Sequence, residues 1–266
     1  MMHADWFRTV EFPLAWDAYR RLPRHSAYRY EYRQGKATIT GRPLYRHCRI
    51  PIPPSPAPSE TAPALQTLEL VPWTQASLTA GQKDRLVDLY QAAFAETVPF
   101  PALTKEDQFA AAFSILGGSI AGFDGVPIPQ ASFVIRSRAE KMPVAAALLT
   151  LTAPGNWTDF TDPAWKAAPP KDPVRQQWGH PHLTWLFVRP DFQRQGLGTR
   201  LLTQARQQLS QLGYAWLFST FLVGNNSSLL WHWKQGFELI PRSSEIPSSS
   251  GEEDSSHFPT GRQTGH

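Results

Sequence analysis

Residues 183–222 constrain the fold of this chain more than any other stretch. Residues 183–188, Leu-Thr-Trp-Leu-Phe-Val, are almost wholly apolar, which marks a strand covered on both faces and therefore central in a sheet. Pro190 ends it. The run Gln193-Arg194-Gln195-Gly196-Leu197-Gly198-Thr199 comes next, and a helix is predicted from there to about Leu212. Leu197, Leu201, Leu202, Ala205, Leu209 and Leu212 recur at helical spacing, and Gly213 is the expected stop. A second strand, 214–222, follows at once. Strand, glycine turn and helix in that order make an anion site. Glycine accepts positive φ and puts no Cβ in a ligand's way. The free N–H groups of the first helical turn, with the helix dipole behind them, then face the anion. A pyrophosphate is the natural ligand. The turn has neither the Lys-Ser/Thr of a phosphate loop nor the third glycine of a dinucleotide fingerprint.

The remaining pattern alternates strands and helices. Strands are predicted at 65–71, 131–136 and 144–152, and helices at 83–94 and 106–116, the latter ended by Gly117-Gly118. Residues 153–181 are irregular, carry six prolines, and hold Trp157, Trp165 and Trp178. A long irregular loop rich in tryptophan is expected to pack down as a lid or substrate wall. Upstream, a short helix at 14–22 sits between Pro13 and Pro23. A hairpin follows: Tyr28, Tyr30 and Tyr32 alternate with charged residues, Gln34-Gly35 turns, and Ala37 and Ile39 continue the pattern. The tyrosine stripe is read as packing on Trp16 and Tyr19, in preference to stacking on nucleic-acid bases.

Domain limits follow from proline and charge. Six prolines lie between Pro51 and Pro63, so 50–64 reads as a semi-rigid linker. It separates a basic module, 1–49, from the main domain, 65–240. The Ser-, Gly- and acid-rich tail, 241–266, is expected to be disordered. Residues 1–50 hold ten Lys/Arg against four Asp/Glu, whereas 51–240 hold fourteen of each. The basic character therefore belongs to the N-terminal fifth. With 41% apolar residues the chain has material for a substantial core, which excludes wholesale disorder. No apolar run approaches 18 residues, and the first twenty residues mix Asp5, Arg8, Glu11, Asp17 and Arg20 with aromatics, unlike a secretory signal. Cys48 is the single cysteine, which rules out an intramolecular disulfide and a multi-cysteine zinc site. A reducing, cytoplasmic setting is expected.

Two motifs together resemble a known family. Val188-x-Pro190 followed by Gln193-x-x-Gly196-x-Gly198 is similar to the acetyl-CoA signature of the GCN5-related N-acetyltransferases (GNAT). Asn225-x-x-Ser228-x-x-x-His232-x-x-x-Gly236-Phe237 resembles that family's second motif, at a typical distance from the first. The likeness is strong over about 60 residues, weaker over the rest of the body, and absent from 1–49. It implies an α/β (α+β) fold: a mixed, mostly antiparallel sheet, split in a V between two central parallel strands and flanked by helices. The basic segment would add a small α/β module. The resemblance also implies transfer of an acetyl group from acetyl-CoA to a primary amine by direct attack. Main chain from Gln193, Arg194, Gln195, Gly196, Leu197, Gly198 and Thr199 would hold the pyrophosphate. Backbone of Leu186, Phe187 and Val188 would pair with the pantetheine arm and supply the oxyanion donor. Asn225 and Ser228 are further cofactor candidates, with helix capping as the plainer role for Asn225.

The departures matter as much. His232 stands where the family commonly has a tyrosine near the thiolate. It is a candidate acid, or else a packing replacement between Trp231 and Trp233. The strand 183–188 has no carboxylate, so His180 and His182 just before it are the candidate bases, each with a plain structural alternative. A metal at that pair is disfavoured, since no third ligand is evident. The family usually ends in two strands after the second motif. Here 237–240 supplies one, and the serine-rich continuation is a poor second. The last strand is expected to be missing, frayed or replaced, with the N-terminal hairpin or a partner chain covering the edge. The expected acceptor is a small-molecule or peptide amine. Nucleic acid is disfavoured, no membrane is expected, and a homodimer is left open. A non-catalytic acyl-CoA binder, or a nucleic-acid or protein-docking role for 1–49, are the alternatives.

Overall fold

The computed structural model describes residues 9–22, 28–41, 45–54, 66–73, 80–97, 100–223 and 225–241. A small antiparallel sheet comes first, made of β1 (Thr9–Pro13), β2 (Tyr28–Arg33) and β3 (Lys36–Gly41) in the order β1-β3-β2. Gln34 and Gly35 both have positive φ (51° and 77°), which is what a two-residue hairpin turn requires. The short helix α1 (Trp16–Arg21) lies between β1 and β2. Tyr32 packs on Trp16 (5.2 Å between ring centroids) and Tyr19 (4.9 Å), and its hydroxyl donates to the Leu14 carbonyl at 2.8 Å. The tyrosine face is therefore packed on the helix at this position. β1 was not expected: Thr9-Val10-Glu11-Phe12 alternates too briefly before Pro13 to be told from a loop.

The main sheet has eight strands. Its path is β11 (Glu238–Leu239), β4 (Tyr45–Pro51), β10 (Trp216–Leu222), β9 (His180–Val188), β8 (Pro143–Thr152), β7 (Phe133–Ser137) and β5 (Leu68–Pro72), and β6 (Val126–Pro127) pairs with β8 beside that path. Every pairing is antiparallel except β9 with β10. Helices α2 (Ala80–Phe94) and α3 (Lys105–Ile120) cover one face, where Leu86, Leu89, Tyr90, Ile115 and Leu116 pack on Val134, Ala146, Leu148 and Phe187. Helix α4 (Leu197–Gln211) covers the other, setting Leu197, Leu201, Leu202, Ala205 and Leu209 on Ala145, Ala147, Leu149, Leu183 and Leu217. Small residues at 145–147 let the helices approach β8 from both sides. Leu201 and Leu209 are fully buried, and each contributes roughly 1.5–3 kcal/mol by leaving water. The fold is the expected class, a mixed and mostly antiparallel sheet flanked by helices.

Three differences from the sequence reading have clear causes. Helix α3 does not stop at Gly117-Gly118 but runs through both to Ile120. Gly118 and Ser119 are buried there, so packing outweighs the low helix propensity of glycine, and the chain turns at Gly122 (φ 92°). The boundary drawn between 49 and 50 falls inside β4, which belongs to the main sheet. Beyond it, Ile52 N–H donates to the Ala215 carbonyl (2.8 Å), and the Pro51 and Pro54 carbonyls accept from Arg206 and Ser210 of α4. The start of the expected linker is thus tied to the main domain. Finally, a segment from the N-terminal part does take the place of the weak last strand. It is β4, not the hairpin, and it lies between β10 and β11. Residues 55–65 of the linker and 242–266 of the tail lie outside the described residues.

Candidate active site

The glycine turn is built as an anion cradle. Arg194 (φ 62°) and Gly196 (φ 80°) both take the left-handed conformation, and Gly196 is the N-cap of α4. The first amides of α4, at Leu197, Gly198 and Thr199, have no partner within the helix. Side chains pin the turn from behind: Gln193 Nε2 donates to the Val188 carbonyl (3.2 Å) and Gln195 Nε2 to the Asp191 carbonyl (3.1 Å). The two glycines serve different ends. A Cβ on Gly196 would meet nothing within 4 Å, so that residue answers to its φ and to the open space above it. A Cβ on Gly198 would meet Trp231 Nε1 at 3.1 Å and Leu186 at 3.3 Å, so that residue lets α4 close on β9 and on α5 (Asn226–Lys234).

Beside the turn, the parallel pair opens. β9 and β10 are in register only at His182–Phe218 and Leu183–Ser219. From Thr184 and Thr220 onward the two strands part, while β9 stays paired with β8 as far as Val188. Thr184 is the extra residue of a β-bulge, since Trp185 pairs with Leu148 and Leu183 with Leu149. Arg189 N–H donates to the Val144 carbonyl at 2.9 Å. Counting back by alternation, Phe187 also faces β8, and the amides of Leu186 and Val188 face the opened edge. A V-shaped gap with free main chain on one wall therefore leads to the cradle. Phe187, expected to pair with the pantetheine arm, instead turns its backbone to β8 and buries its side chain under α2, so the open wall is formed by Leu186 and Val188.

The three histidines singled out from the sequence are held by neighbours. His180 donates from Nε2 to the Gly155 carbonyl (3.0 Å), and burial lowers its pKa against the pull of that bond. His182 bridges the strands at the mouth of the V: Nδ1 meets Thr184 Oγ1 (3.2 Å) and Nε2 meets Thr220 Oγ1 (3.0 Å). Burial above all, then the neighbouring His47 and His232, push its pKa down to about 3. Both ring nitrogens are engaged and the neutral form is held, so His182 is not poised as a base. His232, 6% exposed, lies on the α4 side of the sheet. Its Nδ1 donates to the Ser228 carbonyl (2.7 Å) and its Nε2 accepts from Ser219 (2.9 Å), with burial lowering its pKa. A neutral ring with no proton to spare is a strut between α5 and β10, not a ready acid. Asn225 caps α5, its Oδ1 accepting from Ser228 N–H at 3.0 Å, and Ser228 Oγ lies 3.3 Å from His232 Nδ1. Neither side chain is directed at the cradle.

The irregular loop supplies a wall. Trp157 stacks on Phe218 (5.0 Å, 9° between planes) and on His182 (5.7 Å, 11°), with Phe160 and Trp165 behind it. The Trp157 indole N–H is buried without a partner. Five residues at this mouth escaped the sequence reading: His47 on β4, Asp124 before β6, Thr150 on β8, Thr184 on β9 and Thr220 on β10. Strand threonines read as ordinary β-formers, and His47 sat in a segment assigned to another module. The one local signal was period two across Tyr45, His47 and Arg49. Among the described residues, no three His, Cys, Asp or Glu side chains gather as a metal-ligand group.

An anion cradle at a helix start thus lies beside a split pair of parallel strands. Residues 171–239 match the family model of the acetyltransferase (GNAT) domain. The match runs from the loop through the cradle to β11. No curated protein matches the chain by sequence. Among solved structures, a GCN5-related N-acetyltransferase from Sphaerobacter thermophilus superposes with a TM-score of 0.47 at 13% identity, covering 87% of this chain and 56% of that one. The chain thus spans little more than half of that protein. PH1933 from Pyrococcus horikoshii gives 0.45 at 13% identity, over 67% of this chain and 93% of that one. The PaiA N-acetyltransferase of Thermoplasma acidophilum, in complex with coenzyme A, gives 0.44 at 10% identity, over 68% and 95%.

Proposed function

We propose that this chain is an N-acyltransferase that moves an acetyl group from acetyl-CoA to a primary amine by direct attack in a ternary complex. The observation that carries the reading is the gap opening at Thr184 and Thr220 directly beside the amide cradle at Arg194–Thr199, in the segment that matches the GNAT family. The residues fit the co-substrate. The left-handed turn and the first amides of α4 suit a pyrophosphate, which the helix dipole and Arg194 attract. The open edge at Leu186 and Val188 suits an extended pantetheine arm, bound as an added strand. One of those amides then lies beside the thioester carbonyl, where it stabilises negative charge as the amine adds. The aromatic wall of Trp157, Phe160 and Phe218 faces the other side of the mouth, where the acceptor, a small-molecule or peptide amine, enters.

Calorimetric titration with acetyl-CoA tests this on the wild type and on Gly196→Trp. Micromolar binding by the wild type and loss of binding by a folded variant are expected. Absence of binding by folded wild-type protein overturns the acetyl-CoA reading.

A further inference from the structure

The turn after α3 carries a carboxylate tied at both ends to the point where the V opens. Thr150 Oγ1 donates to the main-chain carbonyl of Asp124 (3.0 Å) and lies 2.8 Å from Thr184 Oγ1. At the side-chain end, Asp124 Oδ2 accepts from Ser119, which is fully buried and itself accepts from Trp185 Nε1 at 2.7 Å. The single Ser119 hydroxyl hydrogen is shared with the Ile115 carbonyl, 3.0 Å away. Thr184 and Trp185 are the residues at which β9 leaves β10, so main chain and carboxylate of Asp124 are anchored to that spot. The turn is also packed hard on the sheet. Gly122 (φ 92°) and Gly125 (φ 120°) lie on either side of Asp124, and a Cβ on Gly125 would sit 2.3 Å from the Leu151 carbonyl.

Nothing in the fold neutralises this half-buried carboxylate. Among the described residues no ion pair includes Asp124, and Oδ1 has no hydrogen bond. Its electrostatic partners are two phenols: desolvation first, then the charge of Asp124, raise the Tyr45 pKa, and Asp124 adds to the rise that burial causes at Tyr90. Tyr45 pairs with Leu222, beyond the parting at Thr220, so the field of the carboxylate reaches across the opened strands. The contact with Ser119 sets the charge at the C-terminal end of α3, the negative pole of that helix, where a carboxylate destabilises the fold. A sheltered negative charge so placed is compensated only by a cation brought from outside. The remainder of the mouth is aromatic. Phe123, next to Asp124, is 70% exposed and Phe160 is 52% exposed, the latter standing edge-on to Trp157.

We propose that Asp124 binds the acceptor as its ammonium ion, and that the acceptor is a small arylalkyl primary amine whose ring rests on the aromatic wall of Trp157 and Phe160. The proposal rests on the acyltransferase reading and narrows its substrate class. Carboxylate and rings both favour a cation with an apolar body. A polyhydroxylated amine would lose water from its hydroxyls against these rings without a hydrogen bond in return.

Calorimetric titration of the full chain, with coenzyme A present, tests this with 2-phenylethylammonium and its neutral counterpart 2-phenylethanol. The wild type is expected to bind the ammonium more tightly than the alcohol by roughly 10- to 100-fold, and Asp124→Asn to bind the two alike. The variant is also expected to match or exceed the wild type in its urea midpoint, because it removes an uncompensated charge. A lower midpoint makes Asp124 a structural residue and overturns the proposal. So does equal binding of ammonium and alcohol by the wild type, or unchanged ammonium affinity in the variant. Glucosamine bound as tightly as 2-phenylethylammonium overturns the arylalkyl assignment. In turnover, followed as thiol release from acetyl-CoA, Asp124→Asn is expected to raise KM for 2-phenylethylamine by the same factor while acetyl-CoA affinity stays unchanged. Failure of the wild type to bind acetyl-CoA strikes the acyltransferase reading instead, and the comparison of ammonium with alcohol still decides the role of Asp124.

Discussion

Lowering the pH from 7.5 to 5.0 charges His182 in the unfolded chain but leaves it neutral in the fold. Its pKa moves from 6.5 to about 3 on folding, chiefly by burial, with His47 and His232 adding repulsion. The sign follows directly. A base whose folded pKa is depressed binds fewer protons in the native state, so stability falls as the pH drops below the unfolded value. Between pH 7.5 and 5.0 the unfolded ring goes from mostly neutral to mostly charged while the folded ring stays neutral. At 1.36 kcal/mol per pH unit this costs at most about 2 kcal/mol, because the ring keeps part of its surface in water. The window stops above the carboxylates whose pKa is lowered in the fold, Glu69, Asp159 and Asp191, which lose their contributions at lower pH. Urea unfolding at both pH values measures the effect. His180 and His232 are depressed too, so the contribution of His182 is the difference in pH dependence between wild type and His182→Gln. If both proteins lose the same stability over that window, His182 titrates as an ordinary histidine and the account of the strand mouth is wrong.

Two further outcomes follow from β4. Cys48 is 1% exposed and burial pushes its thiol up to about 12, so a chromogenic disulfide at pH 8 is expected to leave the native protein unlabelled and to react fully in urea. Rapid stoichiometric labelling of folded protein contradicts the placement of β4 between β10 and β11. Chains starting at residue 42 are expected to unfold cooperatively, whereas chains starting at residue 55 lose the buried Cys48, Ile50 and Ile52, worth about 5 kcal/mol together, and with them most of a domain's net stability; equal urea midpoints for the two refute this.

What was legible in the sequence was local. β8, β9 and α4 show their period within one window, and the glycine turn lies within seven residues, so an anion cradle could be read without a partner in view. β4 was illegible for the opposite reason. Its alternation of Tyr45, His47 and Arg49 with Cys48 and Ile50 fits a surface hairpin as well as an inner strand, and nothing nearby says that its neighbours are β10 and β11. The histidines and threonines at the mouth of the V come from β4, β8, β9 and β10, so no spacing announces them. His180, His182 and His232 stood out because they flank recognisable motifs, yet their partners decide what they do, and those partners come from elsewhere in the chain.

The position of β4 also sets the order in which the sheet is completed. His47 and Thr220 are 173 residues apart, and most of the main sheet is synthesised between them. β4 is synthesised before β10 and β11 and has no ladder to join until they exist. Its apolar face must wait, and the loop that closes to seat it is among the longest this chain can form. Contacts of such sequence separation carry a large closure entropy and slow folding. Seating β4 is therefore expected to be a late, slow phase of refolding, and the mouth of the V, which includes His47, is finished only in that step.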